Sequence, residues 1–177
     1  MDLEQAGEAL RARTLGEKTM PEEPLRALQE LVEDELAALG HLVQAVQEGL
    51  GSLEKTPSQF VLHALASYLH QFYTGCERIL ERIAVTVDGV LPGGAFSHAN
   101  LLAQMARKLP GIRPAVLHEA LWLRLQDYLA FWHFFRHAYG YMLEWAKLHP
   151  LVAGMSAMLA DLQEQLRAFL KALNQAL

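Results

Sequence analysis

Disulfides are the first thing this chain lacks. It holds a single cysteine, Cys76, so no intrachain bridge can form, and a lone thiol fits a reducing interior better than secretion. No leader is expected either: the opening MDLEQAGEAL is acidic and polar, unlike a signal peptide. No apolar-rich run reaches the roughly 20 residues that span a bilayer before His, Arg, Gln or Asp breaks it. Ile and Thr are scarce while Leu, Ala, Glu, Gln and Arg dominate, which favours helix over strand. No glycine-rich loop opens a helix after a strand, so nucleotide binding of the Rossmann or P-loop kind is excluded. Repeats and low-complexity segments are absent too. These absences leave a cytoplasmic, helical chain that needs neither a membrane nor a cofactor.

What is present has helical spacing. The 177 residues fit one domain, by a prior of roughly 100–200 residues each. Residues 1–55 read as an N-terminal helical element and residues 56–177 as the main part. An amphipathic stretch runs from Leu3 to Arg13. A second, from Pro24 to Leu50, repeats leucine and valine at three and four until Gly49 and Gly51 end it. Ser58 is expected to cap a helix reaching about Val87, apolar on nearly all sides and therefore central. Ser97 is expected to cap a short helix to Lys108. Prolines stiffen the connection LPGIRP. A long helical region then spans Ala115 to His149, with Gly140 as its candidate bend, and Pro150 starts the last helix. The fold class is all-α, an up-and-down bundle of five to six helices.

The net charge of −5 is unevenly spread. Residues 1–40 carry ten acids and four bases, a balance of −6, whereas 101–140 carry five bases (Arg107, Lys108, Arg113, Arg124, Arg136) and two acids, a balance of +3. A basic local field of this kind would attract an anion, although from charge alone patchy helical surface is the better explanation.

That field surrounds YLAFWHFFRHAYGY, residues 128–141, which packs two histidines, one arginine and seven aromatic rings into fourteen residues. His133 and His137 are four apart and share a helix face. The spacing can bind zinc, but no third ligand or general-base Glu accompanies it, so no metal is assigned. His63 and His70, beside Tyr73 and Cys76, read as packed and hydrogen-bonded. Cys76 lacks an orienting acid, and Glu77 next to it would raise a thiol pKa, which argues against a nucleophile. A four-helix metal protein would need Glu-x-x-His pairs, and none is found. Arg136, His137 and Tyr139 together offer a cation, a proton-transfer group and a phenol. Those are the parts for cleaving RNA without metal: a base for the 2′-OH, an acid for the leaving 5′-oxygen, and a cation for the phosphorane. The rings would stack unpaired bases. Aromatic helices with embedded histidines are also commonly core, so composition alone leaves both readings open.

From Tyr68 onward the chain resembles the HEPN superfamily, and within it the HepT-like ribonuclease toxins. The stretches that carry the likeness are YLHQFYTGCERILERIA (68–84), LPGGAFSHANLLAQMARKLPGIRP (91–114), LQDYLAFWHFFRHAYGYMLEW (125–145) and the closing amphipathic helix. The resemblance implies a helical bundle that pairs into a homodimer, with a catalytic motif of each protomer facing a shared cleft. It further implies the toxin of a toxin–antitoxin pair, a metal-independent endoribonuclease. Its neutralising partner would be an MNT-type nucleotidyltransferase that AMPylates the motif tyrosine. The motif is, in outline, Arg, a polar residue, three residues, His, and Tyr two further on. His137 takes the histidine, Tyr139 the modified tyrosine and His133 the polar position, with Arg136 immediately before the histidine. Asp127, six residues before His133, is a candidate to orient an imidazole, and reads equally as a solvated surface acid.

The family arginine falls on Trp132. A neutral indole has one N–H and no charge, so it cannot face phosphate as a guanidinium does. Losing such a cation would cost on the order of 10²–10³ in rate. Three explanations fit: a toxin inactivated because its active form poisons the host, a natural variant in which Arg136 carries the charge, or a degenerate member. The last is an inert helical dimer that only binds partners.

Overall fold

The structure is a computed structural model that describes residues 22–51, 57–137 and 139–175. Among the described residues five α-helices form a bundle: α1 (Glu22–Leu50), α2 (Gln59–Ile83), α3 (Ser97–Met105), α4 (Glu119–His137) and α5 (Trp145–Gln175). Among the described residues there is no strand. One isolated bridge pairs Leu109 with Arg113 around Gly111, whose φ of +74° suits glycine. The all-α bundle expected from composition is therefore what forms. The Leu3–Arg13 stretch lies outside the described residues.

Each helix buries the stripe its spacing dictates. On α1 the buried residues are Leu25, Leu28, Val32, Leu36, Leu39, Val43 and Val46, three or four apart. Ser58 caps α2 by accepting from the Val61 N–H at 3.3 Å. Burial of α2 extends over most of its circumference, and it packs against all four other described helices. Its Gly75 lets α1 come close, for a Cβ there would stand 2.6 Å from Leu39 Cδ2.

Three boundaries differ from expectation. Ser97 does not cap α3; Phe96 occupies that position without a side-chain bond, and the helix stops at Met105 rather than Lys108. The region 115–149 is not continuous. Helix α4 ends at His137, Tyr139 is extended (φ −74°, ψ 147°), and Gly140–Met142 make a single 3₁₀ turn. Pro150 consequently lies inside α5 instead of starting it. Proline has no N–H, so the helix forgoes one bond there, at a position where packing of Leu148 and Val152 holds it together.

The connection between α2 and α4 is tied by one buried charge pair. Helix α2 runs into a π-helical turn, Ala84–Asp88, that presents Asp88. Arg113 meets it bidentately, Nε to Oδ1 at 2.5 Å and Nη2 to Oδ2 at 2.8 Å, and neither side chain is exposed. The remaining guanidinium hydrogens go to the carbonyls of Arg107, Pro114 and Gln104, at 2.9–3.0 Å. Gln104 also donates to Asp88. All five donors of Arg113 are thus satisfied. Removing one partner would strand the other charge, so Asp88→Ala is expected to cost about 3–5 kcal/mol. Urea unfolding measures this; a loss no larger than that of an ordinary surface change, ~0.5 kcal/mol, would contradict it.

Candidate functional site

Helix α4 buries Leu121, Leu125, Tyr128, Leu129 and Trp132, one narrow stripe facing α2, α3 and α5. Trp132 is the last of that stripe. His133, Arg136 and His137 therefore emerge from the C-terminal end of the helix, and all three are exposed. Positive groups are favoured there, because the last carbonyls leave partial negative charge.

Trp132 is the centre of the cluster. Its Nε1 donates to Thr74 Oγ1 at 3.1 Å, and that hydroxyl donates to the His70 carbonyl at 2.9 Å. The His70 ring stacks parallel to the indole at 5.6 Å, while His98 tilts against it at 4.5 Å and His133 stands edge-on at 5.2 Å. One turn along, the Arg136 guanidinium sits over the indole face, 4.5 Å from its centroid. Such a cation–π contact contributes about 0.5–1 kcal/mol at an exposed site. Trp132 thus holds an arginine above itself.

Other candidate residues divide. Tyr139 is 71 % exposed and stacks on Tyr141 at 5.8 Å. Asp127 is exposed and bonds neither His133 nor His137, so the expected orienting contact is not made. His63 and His70 pack against rings, His63 on Phe135 and His70 on Trp132 and Phe135, and their side chains make no hydrogen bond among the described residues. Cys76 is fully buried, and burial pushes its thiol far above the ordinary range, aided by Glu35 rather than by its neighbour Glu77. The basic field is smaller than the sequence implied. Arg113 is consumed by Asp88, and Arg124 pairs with Asp161 on α5. No three described His, Cys, Asp or Glu side chains converge as a metal site would require.

Two functional candidates are absent from the sequence reading. His98, at the start of α3, has its Nδ1 2.5 Å from Glu77 Oε1, and its ring lies 5.7 Å from that of His133. Glu77 is buried on α2, within reach of the Tyr73 hydroxyl at 3.5 Å. The available signal was an acid one helical turn after Tyr73 and one residue after Cys76, within a stripe otherwise apolar. Such an acid demands a partner.

These features place the chain in the class of HEPN-type helical bundles. Residues 64–173 match a family model described as HepT-like protein, and the chain belongs to that family. No curated protein and no solved structure matches the chain.

Burial and the charge of Arg136 hold the His70 imidazole below the ordinary value of 6.5. The unfolded chain therefore binds more protons in the window just below 6.5, and stability falls as pH drops through it. Relative to the parent, His70→Gln should lose less stability between about pH 7.5 and about pH 5, with Arg136→Gln showing a smaller effect in the same direction. Urea midpoints at the two pH values decide it; parallel losses in parent and His70→Gln would overturn the assignment.

Proposed function

We propose that this protein is the toxin of a toxin–antitoxin pair, a metal-independent endoribonuclease acting on single-stranded or looped RNA. One observation carries the reading: the Arg136 guanidinium is held over Trp132, beside His133 and His137 and open to solvent. In this reading Arg136 supplies the charge that the family arginine would supply, meeting the phosphorane as it forms. His137 is the proton-transfer residue, and His133 binds phosphate or supports it. The chain works as a homodimer. Phe134, Tyr141 and Met142 leave apolar surface around a groove of about 620 Å³ beside the motif, and such patches commonly mark interfaces.

A second reading is favoured by Trp132 itself. A buried indole in the arginine's place fits an inert helical dimer that only binds its partner. RNA separates the two. The full chain, in the presence of a chelator, is expected to cut single-stranded RNA, with Arg136→Gln slower by about 10²–10³. No cleavage by the full chain, and none by a folded Trp132→Arg variant, would sink the nuclease reading.

The neutralising partner would be an MNT-type nucleotidyltransferase that attaches AMP to Tyr139. The exposure of Tyr139 supports this, and the nucleotide would add bulk and negative charge beside Arg136 and His137, excluding RNA. Incubation with ATP and the adjacent-gene nucleotidyltransferase should leave one or more AMP groups on Tyr139 by mass spectrometry, and none on Tyr139→Phe at that position. An unmodified Tyr139 would remove this part of the proposal.

A further inference from the structure

RNA cleavage through the 2′-hydroxyl needs two proton-transfer groups, and the motif helix supplies one assigned imidazole. We infer that His98, held by Glu77, is the second. Its Nδ1 faces the buried Glu77 carboxylate at 2.5 Å, and a carboxylate accepts, so Nδ1 carries the proton. The lone pair is then left on Nε2, which has no hydrogen-bond partner among the described residues. The side chain is 26 % exposed, so this nitrogen is reachable. The ring lies 5.7 Å from His133 and 4.5 Å from Trp132, the indole that carries Arg136. A carboxylate that fixes the tautomer and stabilises the imidazolium is the arrangement by which an imidazole acts as a base.

The inference rests on the ribonuclease reading above. His98 Nε2 takes the 2′-OH proton, and the 2′-oxygen forms a bond to phosphorus. The bond from phosphorus to the 5′-oxygen breaks with its electron pair on oxygen, and protonated His137 gives that oxygen a proton. The products are a 2′,3′-cyclic phosphate and a 5′-hydroxyl, and exchange with water resets both histidines. Glu77 is a positioning residue, since it acts through His98. The ionisable groups around His98 are Glu77 and Glu81 on α2, the latter a carboxyl raised by burial and by Glu77, and His133 on α4, with Arg136 on the neighbouring Trp132.

The test is imidazole nitrogen NMR on the full chain, titrated with uridine 3′-monophosphate. His98 is expected in the Nδ1–H tautomer. The nucleotide is expected to move the ring-nitrogen resonances of both His98 and His137. Glu77→Gln should mix the His98 tautomers while the fold persists. If His137 responds and His98 does not, or if His98 carries its proton on Nε2, the role of His98 is refuted and the ribonuclease reading stands. If neither imidazole responds, both fall together.

Discussion

The buried Arg113–Asp88 pair is the constraint on which the site's geometry depends. A guanidinium without solvent exposure is tolerable only when every hydrogen finds an acceptor, and here two carboxylate oxygens and three backbone carbonyls provide them. The carbonyls belong to the end of α3 and to the loop that follows it. One side chain therefore gathers the π turn after α2, the last turn of α3 and the approach to α4. Backbone bonds from Val116 and Leu117 to the Met105 carbonyl, at 2.9 and 3.1 Å, finish the connection. With α3 anchored, its first turn brings His98 against Glu77 on one side and Trp132 on the other.

Trp132 connects this scaffold to the exposed chemistry. Its ring is nearly buried, and its N–H is satisfied by Thr74. A rigid aromatic plate at that point does two things. It orders His70 and His98 around itself, and it offers its outer face to Arg136 one turn further along. An exposed arginine has several rotatable bonds, and stacking on a fixed plane reduces the freedom it would lose on meeting an anion. The Arg136 guanidinium thus lies one turn beyond the indole, on the same side of the helix.

The abrupt end of α4 matters as much as its course. The helix stops at His137, so the exposed Arg136 and His137 of its last turn lie at the end of the helix where cations are favoured. The following 3₁₀ turn places Tyr139 and Tyr141 outside the bundle, stacked on each other. Gly140 sits against His63, where a Cβ would come within 3.5 Å of the imidazole. A helix continuing to His149 would have carried those phenols around its circumference.

Much of the bundle was legible because burial on a helix leaves a three-and-four residue pattern, and α1, α2 and α5 carry it plainly. His133, Arg136 and His137 were legible as one group because neighbours in sequence on a helix are neighbours in space, while their exposure was left open. Arg113 was misread as part of a field, since nothing near it in sequence reveals a carboxylate 25 residues away. His98 and Glu77, 21 residues apart, were missed for the same reason. Local spacing alone thus determined the run of the helices and the aromatic segment. Which charges are neutralised, and which imidazole meets which acid, depends on pairings between separate helices, and only the packing of the chain decides those.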